Sequence, residues 1–208
     1  MSLAPDADVL VAEGDEIGSR SYGADAGTVS AMAQAMAQGL REGGVIPCYK
    51  HFPGHGAVSG NTHNGSASTR RTLDEMRLTE LIPFMDGVER EIEMIMTSHL
   101  IAKGLEDTEP ASLSPTIITQ LLRGDMGYDG VIITDSLRMT AITSEYKPAA
   151  AAVRAIQAGA DILLIPSNLE AAVKAIEDAV SSGTLSMERI EESVIRILAL
   201  KIQSGVIR

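Results

Sequence analysis

Gly130-Val131-Ile132-Ile133-Thr134-Asp135-Ser136-Leu137 is the run that decides the fold. Val131 to Thr134 are β-branched with no apolar/polar alternation, the pattern of a strand covered on both faces. The run ends on a carboxylate. Before it, Ser114-Pro115 predicts a helix start, an N-cap followed by a Pro in the first turn. Ile117, Ile118, Leu121 and Leu122 then fall on one side of that helix. After it comes an Ala-rich helix over Pro148 to Ala158, then a second apolar strand over Asp161 to Ile165 behind the turn Ala158-Gly159-Ala160.

The same strand-then-helix unit repeats on either side. Ala7 to Ala12 reads as a short strand. Thr28 to Arg41 reads as a helix with Val29, Met32, Met36 and Leu40 at helical spacing, closed by Gly43-Gly44. Val45 to His51 reads as a strand, although Pro47 cannot donate to a ladder. Phe52 to Arg71 is a long polar loop. Thr72-Leu73-Asp74-Glu75 has the form of a capping box before a helix carrying Leu78, Leu81, Ile82, Met85 and Val88. Met94 to His99 is the next strand and Leu100 to Leu113 a second loop. Asn168 caps a helix reaching Val180. Ser186 opens the last helix, with Ile190, Val194, Ile197, Leu198 and Ile202.

Five such units imply an α/β fold with a parallel sheet under covering helices. No G-x-G-x-x-G follows the first strand, so a dinucleotide site of the doubly wound type is unsupported. The polar residues gather after the strands, at Lys50-His51, Ser98-His99 and Thr134-Asp135, where a barrel builds its active site. A full barrel needs eight units, so the expectation is a partial TIM-type (β/α) barrel, about five of eight units. Met1-Ser2-Leu3 reads as the remnant of an expression tag, leaving residues 4–208 for the partial barrel.

Composition narrows the function. The chain has 208 residues, enough for a substantial core, with 45% apolar residues but only 3% aromatic and no Trp. Lys plus Arg number 17 against 28 Asp plus Glu, a formal charge of −11. That balance argues against nucleic acid and against anionic lipid as partners. The single cysteine, Cys48, excludes an internal disulfide and a multi-Cys metal centre. No apolar run approaches the ~20 residues that span a bilayer, and the first residues lack a signal-peptide pattern. A cytoplasmic location is the expectation, with an extracytoplasmic one open for a longer parent protein.

Three of the four histidines, His51, His55 and His63, fall in one segment. His51 and His55 have metal-like spacing, but Pro53-Gly54 prevents the helix that would align them, and no Glu follows the first His as in H-E-x-x-H. Acid–base or sugar-contacting roles fit them better than zinc, and neither a metal nor a cofactor is expected. Asp135 at a strand end is either a loop cap or a catalytic carboxylate. Arg20 sits in the loop after the first strand. Asp161 precedes its strand and reads as structural. His99 is either a satisfied core histidine or part of the site wall.

Lys50-His51-Phe52-Pro53-Gly54-His55-Gly56 followed by Asn61-Thr62-His63 resembles the signature of glycoside hydrolase family 3, in its β-N-acetylglucosaminidase (β-hexosaminidase) branch. Ala111 to Pro115, Gly127 to Leu137 and Ala158 to Ile165 are similar to further family segments in the family's order. The resemblance implies a TIM-type barrel that begins before Ala4, so that the chain is an N-terminally truncated piece. It implies retaining removal of terminal β-linked N-acetylglucosamine from glycans or peptidoglycan fragments. Asp135 matches the nucleophile, His63 the general acid/base, and Arg20, Lys50 and His51 the residues that hold the sugar.

The chemistry fits those residue types. A retaining mechanism needs an ionised nucleophile and a proton donor at the leaving oxygen. An imidazole with an ordinary pKa near ~6.5 can give and take that proton near neutrality. Where the family reads D-x-H, this chain has Asn61. An amide orients an imidazole without stabilising its charged form. Asn61 is therefore expected to weaken acid/base catalysis, and Asn61→Asp to raise the rate. The competing readings are a non-catalytic amino-sugar binder, a broader β-glucosidase or glycoside phosphorylase, and a metal hydrolase using the loop histidines. A homodimer through exposed barrel edges is a further expectation.

Overall fold

The computed structural model describes residues 1–11, 17–58, 65–105 and 107–207. Its centre is a parallel sheet of β1 (Cys48–Phe52), β3 (Met94–Thr97) and β5 (Val131–Thr134), in the order β1-β3-β5. Met94, Ile95, Met96 and Thr97 pair in register with Val131, Ile132, Ile133 and Thr134. All four residues of β3 and of β5 are buried, which is why these strands read as unbroken apolar runs. A small parallel pair, β2 (Ser68–Thr69) with β4 (Ile101–Ala102), lies within segments expected to be loops.

The outer strands are reduced to one bridge on each side, flanked by a few backbone hydrogen bonds. On the free side of β1, Asp6 makes a parallel bridge to Lys50, and Ala7 N donates to Lys50 O at 2.6 Å. On the free side of β5, Ile162 bridges Ile133 in the same sense. The strands expected over Ala7 to Ala12 and Asp161 to Ile165 are therefore not formed as strands among the described residues, and Ala12 lies outside them. At the second, Leu164 N donates to a side chain, Thr134 Oγ1, at 3.1 Å, and Ile165 has a positive φ of 44°. Pairing cannot continue past that kink.

Pro47 precedes β1, so the strand expected from Val45 starts three residues later, where backbone donors resume. Ser2 N donates to Ile46 O at 2.8 Å, and Leu3 packs with Cys48, Met94, Met96, Val131 and Ile133 on one face of the sheet. Ile197 and Leu200 of the last helix, Met187–Gln203, reach the same cluster. Tyr49, Ile95 and Ile132 point to the other face, into the main core under the helices.

α1 (Ala26–Glu42) is capped by Asp25, whose side chain accepts from Thr28 N. It buries Ala26, Val29, Ser30, Ala33 and Ala37. Met32 and Met36, expected on the inner face, are 47% and 40% exposed. The alanine face is the one that packs on the helix Ile82–Glu89 (α3), and small side chains suit such helix–helix packing. The Thr72 capping box forms, but the helix after it breaks into α2 (Leu73–Arg77) and α3 (Ile82–Glu89), with Pro83 in the first turn of the second. After Ser114, whose Oγ accepts Ile117 N at 3.1 Å, Thr116–Asp125 winds as a π-helix. Next come the single turn α4 (Thr140–Thr143), α5 (Pro148–Ala158), α6 (Leu169–Ser181) and α7 (Met187–Gln203). Gly159 closes α5 at φ 115°, and Asn168 and Ser186 cap α6 and α7. No helix among the described residues is long and apolar enough to cross a membrane.

Candidate active site

Parallel strands all end on one side, so whatever follows β1, β3 and β5 is gathered there. β1 ends in Lys50, His51 and Phe52; β3 is followed by Ser98 and His99; β5 is followed by Asp135 and Ser136. Asp135 N donates to Thr97 O at 2.8 Å, and Asp135 Oδ1 accepts from Ser136 N at 2.6 Å. The carboxylate is thus held by the backbone of its own turn and remains partly accessible.

His99 sits beneath it, buried. Its Nε2 lies 2.9 Å from Ser136 O and its Nδ1 2.7 Å from Ser112 Oγ. A carbonyl can only accept, so Nε2 carries the proton and Nδ1 accepts from the serine. Burial pushes the imidazole below its ordinary value while Asp135 pulls it back up. His99 also feels the charges of His51 and His55. It is a satisfied histidine and a wall of the site at once.

The other wall is built by two aspartates of the first segment. Asp8 is fully buried. Its Oδ2 lies 2.7 Å from His51 Nδ1, its Oδ1 accepts His55 N at 2.5 Å, and both oxygens accept His51 N at 3.2 Å. Burial pushes this carboxyl up, but the charge and hydrogen bond of His51 and the His55 amide outweigh it, and the group lies below the ordinary value. Asp6 is placed differently. Its Oδ1 accepts Asp8 N at 3.2 Å, while its buried Oδ2 has no hydrogen-bond partner. Oδ2 stands 3.6 Å from Arg20 Nη1 and 3.9 Å from His51 Nδ1. Burial and the charge of Asp8 raise its pKa to about 7.

Asp6, Asp8 and His51 bring one ligand atom each to within 4.8 Å of one another, a spacing a metal ion could use. Their bonding does not suit one. The oxygens of Asp8 are already committed to N–H donors, His51 Nδ1 faces Asp8, and the Arg20 cation stands beside Asp6. The arrangement is a hydrogen-bonded clamp.

Arg20 lies in the 3₁₀ turn Gly18–Arg20, and Lys50 is half-buried in β1 opposite Asp6. The structure therefore brings Arg20 and His51 to the Asp6 carboxylate, and pairs Lys50 with Asp6 through the backbone. Asn61 and His63 lie outside the described residues. The chain leading to them is anchored: Val11 N donates to Gly56 O at 2.7 Å, and a Cβ on Gly56 would run into the Val9 carbonyl. On the far side Arg71 Nε pairs with the buried Glu80 at 2.5 Å, and Glu80 packs so close to Gly54 (φ 119°) that a Cβ there would fall 2.6 Å from its own.

Sequence reasoning missed Asp6, Asp8 and Glu80. Asp6-Ala7-Asp8 carried a signal, two carboxylates in a short apolar run, but charge inside such a run reads as a break in the strand. Glu80 gave none. A groove of about 850 Å³ lined by Arg41, Glu93, Asp129 and Arg196, among others, lies at the opposite end of the strands, away from Asp135.

A parallel sheet with covering helices and carboxylate, imidazole and cationic groups at the strand C-termini defines an α/β protein with an enzyme-like site. Residues 1–200 match the glycosyl hydrolase family 3 N-terminal domain, and the chain belongs to that family. It is 41% identical over 210 residues to the β-hexosaminidase LpqI of Mycobacterium tuberculosis, covering 97% of this chain and 54% of that protein. A family 3 β-N-acetylglucosaminidase from Paenibacillus sp. str. FPU-7 superposes with a TM-score of 0.95 at 38% identity, over 98% of this chain and 40% of that one. A β-glucoside phosphorylase, BglX, superposes with a TM-score of 0.92 at 30% identity, over 98% and 38%. The chain spans about half the length of the curated relatives it matches.

Proposed function

We propose that this chain is the C-terminal arc of a TIM-type barrel and carries the reacting groups of a retaining exo-β-N-acetylglucosaminidase. The observation that supports it most is the placing of Asp135, His99 and the His51–Asp8 pair at the C-terminal ends of neighbouring parallel strands, with His99 bonded to the Ser136 carbonyl in the turn that carries Asp135. Asp135 attacks the anomeric carbon from its rigid turn and forms a glycosyl-enzyme. His63 gives its proton to the departing oxygen, then takes one from the attacking water. Arg20, Lys50 and His51 hold the sugar hydroxyls, with Asp8 fixing the His51 tautomer. Asn61, in place of a carboxylate, slows the proton transfers. Terminal N-acetylglucosamine on glycans or peptidoglycan fragments is the substrate.

The bridges Asp6–Lys50 and Ile133–Ile162 extend the sheet to five strand positions, the basis for reading about five of eight barrel units. The remaining units would come from a longer protein. Alone, this chain is inactive or covers its open edges by dimerising, and the longer protein works in the cytoplasm or is exported.

The test is nitrophenol release from the chromogenic β-N-acetylglucosaminide by this chain beside a version extended at its N-terminus. Turnover in the longer protein that disappears in Asp135→Asn is expected. A longer protein whose turnover survives that change would remove Asp135 from the role. The likeness to a β-glucoside phosphorylase favours a second reading, in which phosphate replaces water as acceptor. A neutral histidine, unlike a carboxylate, does not repel that anion. Rates with and without phosphate separate the two.

A further inference from the structure

We infer that Asp6 is a positioning residue for sugar binding, and that its carboxylate aligns Arg20 and His51 across from Lys50. The inference rests on the proposal that those three hold the sugar. The Asp6 carboxylate faces two of them, 3.6 Å from Arg20 Nη1 and 3.9 Å from His51 Nδ1, and its backbone bridges that of the third, Lys50. Its Oδ1 is fixed by Asp8 N, which aims Oδ2 between the guanidinium and the imidazole. That oxygen is buried and accepts no hydrogen bond, an arrangement that costs folding free energy. The fold already secures His51 through Asp8, so the structure of the clamp does not need a second carboxylate. A charge kept where it destabilises the fold is accounted for by what it orients.

The charged groups around Asp6 come from three elements: Asp8 on its own segment, His51 and Lys50 on β1, and Arg20 on the 3₁₀ turn; His55 stands behind Asp8, and Tyr22 feels the charge of Asp6. Burial and Asp8 hold the Asp6 pKa at about 7. Above that pH Asp6 is ionised and steers Arg20; below it the carboxyl is neutral and the hold is lost. The folded-state pKa lies above the unfolded value of 3.8, so ionising Asp6 lowers stability as pH rises from about 4 to about 7.

The experiment is calorimetric binding of N-acetylglucosamine to the version extended at its N-terminus, with thermal unfolding of the same variants, between pH 5 and pH 8. Asp6→Asn should weaken binding about tenfold at pH 8 and abolish the fall in affinity that the wild type shows below pH 7. It should also raise the unfolding midpoint at pH 8, since it removes an unfavourable buried charge. Weaker binding in a more stable protein is the signature of a positioning role. Asp6→Asn with wild-type affinity and pH profile overturns the inference, as does weaker binding in a destabilised protein. Arg20→Ala and Lys50→Ala are the control for the underlying proposal: if neither lowers affinity, or the wild type binds no sugar, that proposal fails first and the inference with it.

Discussion

Two buried carboxylate clusters sit at opposite ends of the same sheet, and they are balanced in opposite directions. At the N-terminal end Asp161 is closed off from solvent and surrounded by cations: Arg123 at 2.7 Å, Arg189 at 3.4 Å and Arg196 at 3.5 Å. Ser193 Oγ and Ile132 N donate to it at 2.7 and 2.9 Å. At the C-terminal end Asp6 and Asp8 face Arg20, the His51 imidazole and several amides, and one carboxylate oxygen goes without a hydrogen bond. The first cluster ties β5 to the π-helix and α7. The second keeps negative charge unspent beside the groups proposed to bind a sugar. Surplus satisfaction belongs to stability, and a deficit belongs to function.

The contrast breaks most visibly at Asp161. Asp161→Ala leaves three arginines without their shared anion and should cost about 3–5 kcal/mol in urea unfolding, with aggregation the alternative sign of failure. A loss under about 1 kcal/mol would mean the arginines find solvent, and the comparison would lose its stable half. Asp8→Asn should cost less, about 1.5–3 kcal/mol at pH 7, because it removes charge-assisted bonds but leaves an amide oxygen to accept from His55 N. Its effect has a pH signature. The Asp8 pKa is depressed in the fold, so its contribution is full above the unfolded value of 3.8 and is lost as pH falls below that toward the folded value. The difference between wild type and variant should shrink below pH 4, opposite in sense to Asp6, whose removal should help most at pH 8. Parallel curves for the two variants would erase the distinction drawn between the aspartates. At the small end, the exposed pair Lys174–Asp178 on α6 is a solvated i,i+4 contact, and Asp178→Ala should shift stability by about 0.5 kcal/mol or less.

The sequence was most legible where one force acted alone. Val131 to Thr134 are covered on both faces, and burial there needs only apolar, β-branched residues. The Thr72 capping box and the Asn168 and Ser186 caps were equally clear, because each is a local hydrogen bond. Asp161 was read as structural, and its bonds are those of a structural residue. What failed needed knowledge of the partner. Met32 and Met36 lie on a helical stripe as apolar as any, but α1 packs by its alanines, a choice set by how close α3 comes. The flanking strands shrank to single bridges because pairing depends on backbone geometry that side-chain pattern does not record. In the candidate site, Arg20, Lys50, His51 and Asp135 were reached through a resemblance, while Asp6 and Asp8 became visible only once residues more than 40 apart in sequence were brought together.

That last distance governs how the molecule is made. Every bridge in the described residues joins segments lying parallel, or at least a helix apart, except the short contact of Ile101 with Pro110. Cys48 meets Met94, Met94 meets Val131 and Asp6 meets Lys50, separations of 37 to 46 residues, each closed by a loop that loses its entropy before the contact rewards it. With so few hairpins to start from, the sheet cannot zip outward from a local nucleus. The clamp of Asp8 on His51 and His55, which joins the earliest segment to the next strand, closes one such loop of more than 40 residues.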